Sequence, residues 1–213
     1  MDPAKLLATA LSMGVVVGSV ILKLPQVIKI VRSGSAAGVS LLSVLLEGLG
    51  YSIGTSWGIA AGLNFWDYGE SVFVSVQLVM LILCIAFYQK QLMRGVVPLF
   101  ALISLGTALS LKKFPPEVHE TLLAAQIFIS LSSRVPQIYL AYKMKSTGQL
   151  AFLTYFLAFG GASARVFTVF MNVPWEKGKA TMLLQFGLAS FLNFIIIAQI
   201  FIYGRAKPEK KQK

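Results

Sequence analysis

Residues 21 to 32 read ILKLPQVIKIVR, and residues 131 to 143 read LSSRVPQIYLAYK. Both stretches suit hydrocarbon, yet each places a cation, Lys23 or Arg134, two residues before a proline, Pro25 or Pro136. A charge at the bilayer centre costs at least about 2.5 to 3.5 kcal/mol on insertion scales, and a proline removes one donor from the helical ladder. A chain that accepts both penalties twice, at matched places, is using them. Sliding the sequence by 111 residues lays Lys23-Leu-Pro25-Gln26 on Arg134-Val-Pro136-Gln137, and continues with Arg32 on Lys143, Ser35 on Ser146, Ser43 on Thr154 and Gly50 on Gly161.

The frame around this repeat is a membrane protein. Of 213 residues, 56% are hydrophobic and 13% charged, far from the balance of a soluble domain. Apolar runs near 6–31, 40–62, 69–89, 95–111, 118–142, 149–171 and 180–203 are each long enough to cross about 30 Å of hydrocarbon as a helix. The predicted fold is therefore all-α and polytopic: seven transmembrane helices as two parallel three-helix repeats, residues 6–90 and 117–204, joined by a linker helix at 94–111. Residues 205–213 form a basic tail. Parallel repeats of this kind commonly hold a substrate site between them.

The net charge of +11 raises the question of nucleic acid, but the placement of the charges points to topology instead. With seven spans, eleven cations, from Lys29 to Lys213, fall on one face, and the other receives Lys5, Lys112, Lys113, Lys177 and Lys179 with most of the acids, Glu70 among them. The positive-inside rule makes the eleven-cation face cytosolic, with the amino terminus on the far side. Lys5 before an apolar run resembles a signal peptide, but the run before the ATA of residues 8–10 is too short for one. Cys84 is the only cysteine and is expected to pack, and His119 is expected to be an interfacial residue rather than a metal ligand. Gly50, Gly54, Gly58 and Gly62 form a bare ridge that permits close helix packing, with Gly14 and Gly18 in a similar role.

Four charges remain at membrane depth: Lys23, Glu47, Arg134 and Arg165. Counted at about 1.5 Å per residue, Lys23, Glu47 and Arg134 lie roughly 10 to 13 Å from the cytosolic ends, and Arg165 lies in the outer half. The 111-residue offset puts Lys23 on Arg134 but Glu47 on Ala158. The first triplet thus has a possible ion pair and the second a cation without its acid, which an anionic ligand can balance. A guanidinium suits phosphate because its fork of donors binds two oxygens. Pro25 and Pro136 are expected to bend their helices as paired hinges, with Gln26 and Gln137 supplying amides at the bends. Asn193, Gln199 and Gln77 are further polar candidates, each equally suited to joining helices. Nothing in the sequence groups a nucleophile with a base or gathers metal ligands, so the reading is a non-enzyme without a cofactor.

The duplicated Pro-Gln elements resemble the PQ-loop superfamily, which includes SWEET sugar transporters, cystinosin-like exporters and KDEL receptors. Within it, GSVILKLPQVIKI at 18–30, SAAGVSLLSVLLE at 35–47, STGQL at 146–150, FGGASARVFT at 159–168 and NFIIIAQIFIYGRAKP at 193–208 resemble the mannose-P-dolichol utilisation defect 1 family. Ala151 departs from the serine frequent there in the second repeat. The resemblance implies an endoplasmic reticulum protein needed for use of dolichol-phosphate-mannose and dolichol-phosphate-glucose in glycosylation, with lumenal glycosyltransferases as possible partners. Lys210 and Lys211 look like a retrieval signal read by coat proteins in the cytosol. The expected substrate-binding set is Lys23, Gln26, Glu47, Arg134, Gln137, Arg165 and Asn193. Alternatives are a SWEET-like or cystinosin-like carrier of a small soluble solute, and an accessory protein for the transferases.

Overall fold

Among the residues that the computed structural model describes, 3–37, 39–145, 147 and 152–203, regular structure is helical throughout. Ser146, residues 148–150 of the STGQL motif, Ala151 and the tail with Lys210 and Lys211 lie outside the described residues.

The first apolar run forms two helices rather than the single bent one expected over 6–31. α1 (Pro3–Ser19) and α2 (Leu24–Ser33) are separated by a break that contains Lys23. Pro25 falls in the first turn of α2. A proline is tolerated there because the first N–H groups of a helix have no intrahelical acceptor. Gly34 then ends α2 in the left-handed conformation at φ 62.

α3 (Leu41–Ala60) is capped by Ser40, whose hydroxyl accepts the Ser43 N–H at 3.2 Å, and α4 (Phe65–Tyr88) by Asn64, whose amide oxygen accepts the Trp66 N–H at 3.0 Å. The linker is α5 (Leu92–Ser110). In the second triplet α6 (Pro116–Met144) runs through Pro136 without interruption, followed by α7 (Phe152–Asn172), a 3-10 turn at Trp175–Lys177 and α8 (Lys179–Tyr203). Pro3–Ser33, Phe65–Tyr88, Leu92–Ser110 and Lys179–Tyr203 are long and apolar enough to cross a membrane on their own account. The other three spans carry much of the polar cargo.

In each triplet the third helix is central: α1, α2 and α3 pack on α4, and α6 and α7 pack on α8. α5 lies outside, against α3 and α4. The triplets meet chiefly where α1 packs on α7 and α3 on α6. One apolar core, which includes Ile30, Val44, Val74, Leu78, Ile82 and Leu99, fills the first triplet and its linker. A smaller one, Trp57, Leu123, Val169, Val173 and Met182, joins α3 to the second triplet near the amino-terminal face. Large apolar side chains such as Phe100, Phe128 and Phe201 point outward, as lipid-facing residues do.

Glycine matters at two positions. A Cβ on Gly58 would collide with Cγ of Tyr68, so α3 and α4 can meet there only with bare backbone. Gly178 has φ +73, and a Cβ would meet the Trp57 ring at 2.7 Å. The expected ridge is shorter than its spacing promised: Gly54 and Gly58 face neighbours, Gly62 forms a turn at φ +60, and Gly50, Gly14 and Gly18 have nothing within 4 Å of the added atom. Cys84 packs against the first core, as expected. His119 is buried, with Nε2 2.8 Å from the Leu109 carbonyl oxygen, and so ties the end of α5 to α6.

Candidate functional site between the two triplets

The break after α1 leaves backbone polar groups without their helical partners at membrane depth, where each needs a substitute. Gln77 of α4 supplies it. Its Oε1 accepts the Lys23 N–H at 2.7 Å, while its Nε2 donates to the Ser19 carbonyl at 2.8 Å and to the Phe73 carbonyl at 2.9 Å. From this anchored backbone the Lys23 ammonium reaches Glu47 of α3 at 2.6 Å, the ion pair anticipated from the sequence.

Arg134 occupies the equivalent position in α6. Its Nε donates to Oδ1 of Asn193 on α8 at 3.2 Å. Gln77 and Asn193 therefore play parallel parts: the third helix of each triplet brings one carboxamide to the cation before the Pro-Gln pair. They stand 116 residues apart rather than 111, and the turn around Trp175–Lys177 accompanies this change of register. Tyr51 of α3 lies within electrostatic reach of Glu47, Glu70, Arg134 and Arg165. Arg134 in turn is within electrostatic reach of Tyr51 and Tyr155. The Lys23–Glu47 and Arg134–Asn193 pairs, at equivalent positions of the two triplets, are the candidate polar layer, with Tyr51 in electrostatic reach of both. Gly50 and its equivalent Gly161 both have open space where a side chain would be.

The remaining candidates make other contacts. Gln137 is exposed, and its Oε1 accepts the Tyr155 hydroxyl at 2.8 Å. Gln26 sits in the first turn of α2, its N–H bonded to the Lys23 carbonyl at 3.1 Å. Arg165, 2% exposed, lies nearer the amino-terminal face, with Nε donating to Glu70 at 2.8 Å and an NH1 proton to the Trp66 carbonyl at 3.0 Å. Glu70 lies close to the start of a span, so the sequence places it with the external acids. Five residues of helix carry it about 7 Å into that span, so the Arg165 pairing could not be read from the sequence. Gln126, also unanticipated, donates to the Gly50 carbonyl and accepts from Gln185 at 2.8 Å.

Several of the described bonds that cross from one triplet to the other lie on one side. Besides Arg165 to Glu70 and Trp66, Asn172 donates to Asp67 at 3.2 Å and Lys177 to the Gly62 carbonyl at 3.0 Å, all toward the amino-terminal face. Gln126 to Gly50 lies at mid-depth. On the opposite side α2 packs on α4 of its own triplet.

Residues 7–67 and 118–177 match the PQ loop repeat family. Over 184 residues, 86% of this chain and 88% of the relative, the sequence is 28% identical to human solute carrier family 66 member 3. Two Saccharomyces cerevisiae proteins match more locally: the vacuolar lysine transporter YPQ1, 34% identical over 39% of this chain and 30% of its own length, and the vacuolar histidine transporter YPQ3, 29% identical over 56% and 40%. The chain thus spans less than half the length of either yeast relative. Among solved structures, a eukaryotic SWEET transporter superposes with a TM-score of 0.76 at 14% identity, covering 94% of this chain and 98% of that one. At that identity the likeness concerns the fold.

Proposed function

Since this chain belongs to the PQ-loop repeat family, whose members similar to it are named as transporters, we propose that it binds and moves a polyprenyl-phosphate sugar, dolichol-phosphate-mannose or dolichol-phosphate-glucose, across the endoplasmic reticulum membrane for lumenal glycosylation. The observation that carries this reading is the placement of two cations, Lys23 and Arg134, at equivalent positions of two triplets and around one polar layer. Arg134 offers a forked donor set to a phosphate, and Lys23 a compact charge that Glu47 holds in place. Beside Lys23 the break presents Val20, Ile21 and Leu22 outward, 41%, 63% and 53% exposed. A cation next to a lipid-facing apolar surface suits an amphiphile whose phosphate leaves the lipid while its isoprenoid tail stays there. Tyr51, Asn193 and Gln137 offer hydroxyl and amide partners for a sugar.

The cross-triplet bonds on the amino-terminal face support a carrier cycle. The polar layer loads from the face away from the amino terminus, and the sugar passes when the Arg165–Glu70 and Asn172–Asp67 contacts part. Arg165 then meets the headgroup on the lumenal side. In cells, lumenal glycosyltransferases receive the product, and Lys210 and Lys211 return the protein through coat proteins.

A second reading, a carrier of a cationic amino acid, draws on the yeast relatives' names and on Glu47 and Glu70 lining the interior. Reconstituted liposomes separate the two. Wild-type protein is expected to translocate a short-chain polyprenyl-phosphate-mannose, with Arg134→Gln at background and no uptake of free lysine. Lysine uptake without lipid translocation would overturn the proposal.

A further inference from the structure

The hydrogen-bond balance of the broken first span singles out Gln77. Around the break, the Val20 N–H reaches back to the Val17 carbonyl and the Leu22 N–H to the Ser19 carbonyl, both at 3.2 Å, in tightened turns. Beyond it, the N–H groups of Gln26 and Val27 both use the Lys23 carbonyl at 3.1 Å. The Ser19 carbonyl and the Lys23 N–H are claimed by one side chain, Gln77, which is 4% exposed. A carboxamide is the neutral group that can both donate and accept across such a gap. Leucine would fill the same volume and satisfy neither end.

We propose that Gln77 is a positioning residue: by holding the Lys23 N–H and the Ser19 carbonyl it keeps the break open and fixes where the Lys23 ammonium stands, so that the ammonium meets an anionic phosphate headgroup. The inference rests on the reading of Lys23 as a phosphate-binding cation. Its mirror in the second triplet works differently. There α6 is unbroken, and Asn193 touches the guanidinium of Arg134 itself. One amide steadies a backbone and the other a side chain, so the two cations are held by different devices at equivalent sites. α2, packed on α4 and tethered at its start by Gln77, is the part of the site whose pose depends on this bond.

A double-mutant cycle tests it, read as the binding of farnesyl phosphate to the purified full-length protein in nanodiscs. Lys23→Gln is expected to weaken binding about tenfold and Gln77→Leu by a similar factor, while the double variant binds no more weakly than Lys23→Gln alone, because a displaced ammonium and an absent one are equivalent. If Gln77→Leu does not fold, Gln77→Asn, one methylene shorter, serves in the same cycle with a smaller loss that again vanishes on the Lys23→Gln background. Losses that multiply in the double variant, or a Gln77 variant that binds like wild type, overturn the positioning role. A Lys23→Gln protein that binds like wild type instead overturns the reading of Lys23 on which the inference rests.

Discussion

The two cations can be tested one side chain at a time. Hydrogen bonds to charged groups contribute about 1.5 to 3 kcal/mol, so Arg134→Gln is predicted to weaken polyprenyl-phosphate binding by roughly tenfold to a hundredfold. Arg134→Lys keeps the charge but not the fork, and is predicted to fall between the two. Titration of each variant with a polyprenyl phosphate in detergent checks the order. Packing makes an independent prediction. Gly58→Leu forces a side chain into the Tyr68 ring and is expected to lower stability by about 1 to 3 kcal/mol, whereas Gly50→Ala meets open space and is expected to leave thermal unfolding nearly unchanged. Equal losses at both positions would contradict the description of α3. At this scale the sequence was informative about Lys23, Glu47 and Arg134, because an ionisable group in an apolar run has few innocent explanations. It said little about Tyr51, a common residue type within an apolar span, or Glu70, an ordinary acid near a span end; their importance comes from what α6 and α7 bring near them.

Elements show how the same motif takes two forms. Lys23-Leu-Pro25-Gln26 begins a new helix, and Arg134-Val-Pro136-Gln137 lies within a continuous one. What differs is the neighbour: Gln77 accepts a backbone N–H in the first triplet, while Asn193 accepts a side-chain N–H in the second. No pattern within the motif itself distinguishes the two cases, which is why symmetric bends were the natural expectation. Replacing the prolines should separate them. Pro25→Ala allows residues 20–23 to close into helix, and is predicted to slow amide exchange there and reduce transport. Pro136→Ala restores one donor inside an existing helix, and is predicted to keep or slightly raise stability. Exchange rates that respond equally in both repeats would contradict this asymmetry.

For the molecule as a whole, the duplicated architecture was legible because a span needs only length and apolar composition, and because the repeat survives an ungapped slide through the first two helices of each triplet. The closure made by the cross-triplet contacts on the amino-terminal face was not, since Glu70 and Asp67 read as ordinary acids near the start of a span and only the fold brings Arg165 and Asn172 beside them. That closure predicts a directional response. Arg165→Met or Glu70→Gln removes an ion pair that holds α7 to α4, and should raise the labelling of Gly161→Cys, in a Cys84→Ser background, by an impermeant maleimide applied from the amino-terminal side. Unchanged labelling would mean that the contact does not seal that face. The central claim, a phosphate held between Lys23 and Arg134, is tested most directly by competition for a bound polyprenyl-phosphate-mannose in nanodiscs. The account predicts displacement by a polyprenyl phosphate lacking the sugar and none by free mannose or lysine, with binding reduced at least about tenfold in Arg134→Gln. Displacement by the free solutes, or undiminished binding by Arg134→Gln, would contradict it.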